Sequence, residues 1–276
     1  MTALDAKVKT GLINLAPIIV SLSFGTLCAF LILTSSMEFY NITPFPEDAI
    51  GSFSNACYFV ILVGVGASLL YLLLKRKNHK LISIITGFAL TAAVFMLSTV
   101  YLFATFSRFA IPHIGVLVLT LSLPITALAD YAIFRAHNKV CNQMILCLGG
   151  ALGAFLGFSV PTLSAILILG FLAIYDVFAV YHGPVGKIAR SGLEQLRGLS
   201  FSFRDIQMGL GDLTFYSMLS GNMLLNFGFI SCLASIVGIL FGCLLSFRML
   251  EKRGMFPGLP LPVFFGLVAG LLVSLI

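Results

Sequence analysis

The chain has 276 residues, of which 59% are hydrophobic and 9% are charged, and its formal net charge is +6. A soluble domain is about 25% charged, so this composition argues against a water-soluble globule and predicts an all-α protein that has lipid as its solvent. The basic residues fall in short loops and not on one face, so the positive charge indicates orientation in a membrane and no nucleic-acid binding.

Apolar runs of about 20 residues, the length that crosses a bilayer, recur along the whole sequence. They predict a polytopic helical bundle of nine transmembrane helices that forms a single transmembrane domain over residues 1–276. The predicted spans are 12–34, 53–74, 81–106, 111–134, 140–160, 161–182, 207–227, 229–247 and 257–276. The polar segment 183–206 is predicted to be a cytoplasmic loop. The turn between the seventh and eighth spans is marked only by Asn226 and Gly228, so it is inferred partly from total length.

The distribution of basic residues gives an independent test of the span count. With nine spans and a cytoplasmic N-terminus, every Lys and Arg falls on one side of the membrane except Arg108. This alternation follows the positive-inside rule. It predicts a multi-pass integral membrane protein with a cytoplasmic N-terminus and an extracytoplasmic C-terminus. The membrane would be the cell membrane of a prokaryote, or an endomembrane otherwise.

Small residues at helical spacing predict two close helix contacts. Gly149, Gly153 and Gly157 recur every four residues, and Gly238 and Gly242 repeat the spacing once. Such glycines let two backbones approach closely within a bilayer. For the second pair, the general abundance of glycine in membrane helices explains the spacing equally well. The six cysteines form no Cys-x-x-Cys pair, which favours buried free thiols over a disulfide framework or a metal site.

Two aspartates lie inside predicted spans, where a carboxylate costs roughly 2.5–3.5 kcal/mol at a helix centre. Asp176 and Asp212 each lie about seven residues from the cytoplasmic end of their span, which places both about 10 Å inside that boundary at a 1.5 Å rise per residue. Their spans are consecutive and antiparallel. If these helices pack side by side, the two carboxyl groups face each other at the same depth.

Paired carboxyl groups indicate a specific chemistry. Two carboxylates a few ångströms apart in a medium of low dielectric do not both ionise, so the pair keeps one proton. This is the working state of an aspartic protease. The ionised partner takes a proton from the attacking water, and the protonated partner donates to the oxyanion or the leaving amine. The sequence does not assign these two roles to Asp176 and Asp212 individually.

Less specific interpretations apply to the same residue types. A proton-coupled transporter or cation leak pathway could use the same two aspartates, although no repeat of matched broken helices is visible. A catalytically silent helical scaffold is a third interpretation. Asp130, near Arg135, is predicted to snorkel or cap its helix. His182 is predicted to be a surface histidine.

Three motifs in chain order resemble those of one protein family. They are Tyr175-Asp176, Gly209-Leu210-Gly211-Asp212 and Pro257-Gly258-Leu259-Pro260. These segments resemble the YD, GxGD and Pro-Ala-Leu motifs of the presenilins and signal peptide peptidases, which are intramembrane aspartyl proteases. The chain looks most like a compact archaeal presenilin homologue. It departs from the family pattern at Gly258, where the family has alanine.

The resemblance implies an intramembrane aspartyl endopeptidase that hydrolyses peptide bonds of transmembrane helical substrates. Asp176 and Asp212 would be the catalytic residues and water the nucleophile, with no cofactor and no metal. The partners implied are transmembrane protein substrates and the lipid bilayer. Accessory subunits would not be required, and the resemblance leaves a homo-oligomer open.

The chemistry of the remaining motif residues also predicts roles for them, independently of the family resemblance. Gly209 and Gly211 lack side chains, so a substrate backbone can approach Asp212. The prolines of segment 257–260 prevent a regular helix start and leave backbone groups free for pairing with an extended substrate. Tyr175 either packs or hydrogen-bonds near the pair. Glycine at position 258 is small and preserves close packing there.

Overall fold

The computed structural model describes residues 12–35, 41–76, 78–109, 111–181, 198–203, 206–253 and 256–275. A short 3-10 helix at Leu12–Leu15 leads into α1 (Ala16–Leu33), α2 (Ala49–Lys75), α3 (His79–Phe106), α4 (Ile114–Phe134), α5 (Asn138–Ser159) and α6 (Thr162–Tyr181). An antiparallel ribbon of β1 (Ser200–Phe203) and β2 (Ile206–Gly209) follows. The chain continues into α7 (Leu210–Arg253) and α8 (Pro260–Ser274).

Helix α7 consists of two arms that meet at Gly228, whose φ of 86° and ψ of 180° break the helix. Glycine adopts a positive φ at little cost, and this position requires one. Residues placed symmetrically about the break meet the same glycine of α8: Leu219 and Ile239 both approach Gly266, and Met223 and Ser235 both approach Gly270. The first arm, 210–227, and the second arm, 229–253, are therefore antiparallel.

Seven helices within the described ranges are long and apolar enough to cross a membrane, with α7 counted as one of them. The last helix, α8, is apolar but has only 15 residues. The predicted all-helical, multi-pass membrane fold is confirmed at this level, whereas the count of nine transmembrane helices is not. The break at Gly228 nevertheless coincides with the predicted turn at 226–229.

The ribbon changes the predicted boundary between the cytoplasmic loop and the seventh span. Residues 207–209 were expected to begin a helix, but they belong to β2. The backbone of β2 pairs with that of β1, with Gly209 opposite Ser200 at one end and Ile206 opposite Phe203 at the other. The helix therefore begins at Leu210. Within the predicted loop 183–206, residues 183–197 and 204–205 lie outside the described ranges, as does His182.

The glycine stripe on α5 makes a close helix contact, as its spacing predicts, and its partner is the first arm of α7. A Cβ atom added at Gly149 would lie 2.8 Å from Cβ of Leu213, and one added at Gly157 would lie 2.5 Å from the Met218 carbonyl oxygen. Gly153, between them, would meet the Thr214 backbone at still closer range. Contacts this short leave no room for a side chain, so the stripe fixes the arm that carries Asp212 against α5.

The second pair of glycines, Gly238 and Gly242, also makes a close helix contact. A Cβ atom at Gly242 would lie 2.5 Å from Cα of Pro262, and Gly238 abuts the Phe265 backbone. The second arm therefore holds the start of α8. Helix α1 adds to this core through Gly25, where a Cβ would lie 2.9 Å from the Gly150 carbonyl oxygen.

Outside this core, α2 and α6 pack as a pair, as do α3 and α4. Polar side chains join the N-terminal ends of α2 and α6: the Ser164 hydroxyl donates to the Ser52 hydroxyl at 3.2 Å, and the Asn55 amide donates to Ser164 at 3.1 Å. The rings of Phe53 and Phe171 pack edge to face, with 5.3 Å between their centroids. The α2–α6 pair is thus fastened at one end and carries Asp176 near the other.

Candidate active site

The two predicted catalytic residues reach the site from different elements. Asp212 is the third residue of α7, directly after β2, and Asp176 lies five residues before the end of α6 at Tyr181. Both side chains are half-buried. Asp212 lies in the first turn of α7, close to the backbone N–H of Gly209. A carboxylate at this position can reach back and cap the helix start.

A single short segment contacts both carboxyl groups. The N–H of Leu259 donates to Oδ2 of Asp176 at 3.0 Å. The neighbouring residue, Gly258, lies against Asp212, because a Cβ atom added there would be 2.7 Å from Oδ2 of that carboxylate. The two aspartates therefore contact adjacent residues of one segment and lie close enough to each other to interact electrostatically. The structure brings together the three motifs that the sequence places up to 83 positions apart.

Segment 256–259 is not helical and precedes α8, which begins at Pro260 with prolines in its first turn. Proline is favoured there because the first N–H groups of a helix have no intrahelical partner. The Gly258 carbonyl oxygen accepts a hydrogen bond from the Tyr216 hydroxyl at 2.8 Å. Two of the backbone groups that the prolines leave free are thus occupied, one by Asp176 and one by Tyr216.

Tyr216 is a site residue that the sequence reasoning missed. It is fully buried and lies four residues after Asp212 on the same helix. Residues at that spacing share a helix face, so a polar side chain four positions from Asp212 was a usable signal. The Cys243 side chain, on the second arm, lies near Tyr216, and the two residues line the same small cavity. Tyr216 therefore links the segment at Gly258 to both arms of α7.

The two motif glycines border open space. The nearest atom to a Cβ added at Gly209 or at Gly211 is 3.9 Å away. Gly211 lines an apolar cavity of about 330 Å³, the front cavity, whose walls include Phe59 and Leu62 of α2, Ile168 of α6 and Phe215 of α7. These two glycines therefore leave free space next to Asp212 along the chain, and the approach of a substrate backbone past them stays a prediction.

The remaining motif residues have structural contacts. Leu210 is buried, and its N–H donates to the Leu199 carbonyl oxygen at 2.8 Å, which joins the ribbon to the start of α7. The Tyr175 hydroxyl faces α2, 3.5 Å from the position of a Cβ at Gly64. Of the two roles considered for Tyr175, this contact supports packing. Pro257 is buried beside Gly258, and Pro260 opens α8.

Asp130 lies apart from the site. Its Oδ2 accepts a hydrogen bond from the Thr91 hydroxyl of α3 at 2.8 Å, so it joins two peripheral helices. The sequence predicted that Asp130 would snorkel or cap its own helix, and the structure shows a bond to a neighbouring helix instead.

Comparison with known proteins identifies the fold. No protein-family model and no curated protein matches the chain by sequence. The chain is similar to a solved structure of a presenilin family intramembrane aspartate protease, with a TM-score of 0.68 and 18% sequence identity over 95% of this chain and 99% of that chain. Identity at this level is evidence of shared architecture. The chain has the presenilin-like fold.

Proposed function

We propose that this protein is an intramembrane aspartyl endopeptidase that hydrolyses peptide bonds of transmembrane helical substrates, with Asp176 and Asp212 as its catalytic pair. The observation that carries the proposal is the contact of both carboxyl groups with adjacent residues, Gly258 and Leu259. Two carboxyl groups that contact one short segment in an apolar bundle support a mechanism of shared acid–base chemistry.

In the proposed reaction, one carboxyl group of the pair is ionised and the other is protonated. The ionised group takes a proton from water as the water oxygen attacks the peptide carbonyl carbon. The protonated group donates its proton to the carbonyl oxygen, which gives a gem-diol. The first group then passes the proton taken from water to the amide nitrogen, and the carbon–nitrogen bond breaks. One hydroxyl of the gem-diol returns its proton to the second group, so the products are a carboxylic acid and an amine and the pair again holds one proton. The Leu259 N–H, bound to Asp176 at 3.0 Å, orients that carboxyl group during these transfers.

The substrate would enter through the front cavity, which is apolar and opens beside Gly211. A helical substrate must unwind there, because the peptide bonds of a helix are shielded by its side chains and occupied by its own hydrogen bonds. Strand β2 ends at Gly209, three residues before Asp212, and is paired on one side with β1. An extended substrate segment that pairs with β2 by strand addition would be delivered to the carboxyl pair. Since Gly258 and Leu259 already hold Tyr216 and Asp176, β2 is the better pairing partner than segment 257–260.

We further propose that each arm of α7 crosses the membrane and that α8 completes nine crossings. The antiparallel arms about Gly228 support this count. With nine crossings and the positive-inside rule, the N-terminus is cytoplasmic and the carboxyl pair lies toward the cytoplasmic side. Cleavage would then release fragments to that side of the bilayer.

The test is reconstitution of the purified protein in liposomes with a single-span peptide, followed by mass spectrometry of the products. We expect discrete cuts within the cytoplasmic half of the peptide. Proton flux is recorded in the same liposomes with a trapped pH dye. An aspartate-dependent flux without cleavage products would replace the protease with a transporter, and the absence of both activities would indicate a scaffold.

A further inference from the structure

A second, smaller cavity lies behind Asp212. Its volume is about 90 Å³, and it is enclosed by β2, the second arm of α7 and segment 256–258. We call it the rear cavity. It borders Asp212 and Tyr216, whereas the front cavity borders Gly211 and Phe215. With about 100° of rotation per residue, these two pairs point to different faces of the first arm, so the rear cavity borders the face that carries Asp212 and the front cavity borders the neighbouring face.

The lining of the rear cavity is unusually polar for a site inside this apolar chain. Five of its eleven lining residues carry polar side-chain atoms, namely Gln207, Asp212, Tyr216, Cys243 and Ser246. Front-cavity walls are almost entirely aliphatic or aromatic. A buried hydroxyl group is stable only if it finds a hydrogen-bond partner, so this concentration of polar atoms calls for a polar occupant.

Ser246 identifies the need for that occupant most directly. Its side chain is 6% exposed, and its Oγ atom has no hydrogen-bond partner within the part of the chain that the structure describes. Leaving such a group unsatisfied costs about 1–3 kcal/mol. A water molecule needs roughly 10–15 Å³ of accessible space and two to four polar partners, and the rear cavity offers both. Its small size excludes a peptide or a lipid chain.

We propose that the rear cavity is a water-binding site that supplies the carboxyl group of Asp212 from the side opposite the substrate. The Ser246 hydroxyl, the Tyr216 hydroxyl and Asp212 would hold the water, and Gln207, whose side chain is exposed, would border its entry. The proposal rests on the protease function proposed above. Hydrolysis of one peptide bond consumes one water molecule, and the apolar front cavity filled by substrate cannot provide it.

Gly258 also fits this role. It lines the rear cavity, and a Cβ atom at this position would lie 2.7 Å from Oδ2 of Asp212. A methyl group there would occupy space between the carboxylate and the proposed water. The position at which this chain departs from the family's alanine is therefore one that keeps the rear face of Asp212 open.

Radiolytic hydroxyl-radical footprinting of the full chain tests the site without any assay of activity. Radicals generated from bound water oxidise nearby sulfur atoms even when bulk solvent does not reach them. Cys243 lines the rear cavity and is 1% exposed, whereas Cys232, on the same arm, is 0% exposed and does not line it. We expect oxidation of Cys243 at least fivefold faster than that of Cys232. Equal rates would overturn the water site and leave the proposed protease untouched.

Serine variants add a kinetic test with a matched control. Ser246 and Ser235 are both buried on the second arm, and the Oγ atom of each has no hydrogen-bond partner among the described residues. Ser235, however, lies beside Gly270, away from the carboxyl pair. We expect Ser246→Ala to lower kcat about fivefold with an unchanged KM, and Ser246→Val, which also fills the cavity, to lower it further. Ser235→Ala should retain the wild-type kcat. Equal kcat values for the two alanine variants would contradict the proposal.

Discussion

The two helices that carry the aspartates are held in very different ways. The first arm of α7, with Asp212, is fixed by the glycine stripe of α5 on one side and by α8 on the other. Helix α6, with Asp176, packs mainly on α2, and much of its surface is exposed: Ile174 and Phe178, on either side of Asp176, are 70% and 61% exposed. One carboxyl group is therefore part of a rigid core, and the other is part of a peripheral pair of helices.

In the proposed protease, this difference would combine a fixed reacting group with access for a large substrate. Glycine contacts hold Asp212 and the segment at Gly258 within one packed unit. The α2–α6 pair is fastened by Ser52, Asn55 and Ser164 at its opposite end, and it forms walls of the front cavity. In the proposed protease, a substrate helix would displace the α2–α6 pair more readily than the first arm of α7, because α6 contacts α7 and α8 less extensively than α5 and α8 contact α7. The hydrogen bond from Leu259 would then hold Asp176 in position again.

Among the variants that test how tightly the two aspartate-bearing helices are held, Gly153→Ala is expected to have the largest effect. A methyl group at this position must displace the Thr214 and Met218 backbone, and overpacking of this kind costs about 1–3 kcal/mol or more. We expect a clear fall in the thermal unfolding temperature in detergent and loss of cleavage. Gly170→Ala is the matched control on α6, since nothing lies within 4 Å of the added methyl. Similar losses in the two variants would show that the two regions are equally tight.

Restoring the family's residue with Gly258→Ala is expected to have the next largest effect. The added methyl group would lie 2.7 Å from Oδ2 of Asp212 and must push the carboxylate away. We expect kcat to fall about tenfold, which corresponds to about 1.4 kcal/mol of activation free energy. The unfolding temperature should change little. Gly66→Ala, with no atom within 4 Å of the added methyl group, controls for the addition of a methyl group away from the carboxyl pair. Activity at or above the wild-type level would refute this account of Gly258.

The smallest effect is expected from Tyr216→Phe, which removes the hydrogen bond to the Gly258 carbonyl oxygen. A bond of this kind contributes about 1 kcal/mol, so kcat should fall about fivefold as segment 256–259 loosens. The matched control is Tyr101→Phe, because the Tyr101 hydroxyl also donates to a backbone carbonyl, that of Ala151, at 2.6 Å but far from the carboxyl pair. If both variants lower kcat equally, the effect is general destabilisation and Tyr216 has no positioning role.

Much of this arrangement could be predicted from the sequence. Apolar runs and loop charges indicated a multi-pass helical protein, and the glycine spacing on α5 indicated a close helix contact that the structure contains. Asp176 and Asp212 stood out because charges are costly in lipid, and the structure places both at segment 258–259. These signals are local or periodic, so they can be recognised in the sequence without a structure.

Other features depend on three-dimensional neighbours. The pairing of β2 with β1 was not predicted, because the apolar residues of β2 fit the start of a helix equally well. The role of Tyr216 requires the return of Gly258 from 42 positions further along the chain. The bond of Asp130 to Thr91, across 39 positions, is hidden in the same way. Sequence periodicity carries no information about such partners, which explains why these residues were missed or assigned to solvent.

The central claim is that Asp176 and Asp212 act as one catalytic unit, and the most direct test is the cleavage rate of a reconstituted transmembrane substrate by three variants. These are Asp176→Asn, Asp212→Asn and the double substitution. Residues that act as a unit are strongly non-additive, so we expect each single variant to lose at least about 1000-fold in kcat and the double variant to lose no more. A single variant that stays within about tenfold of the wild type, or losses that multiply in the double variant, would contradict the shared-pair mechanism.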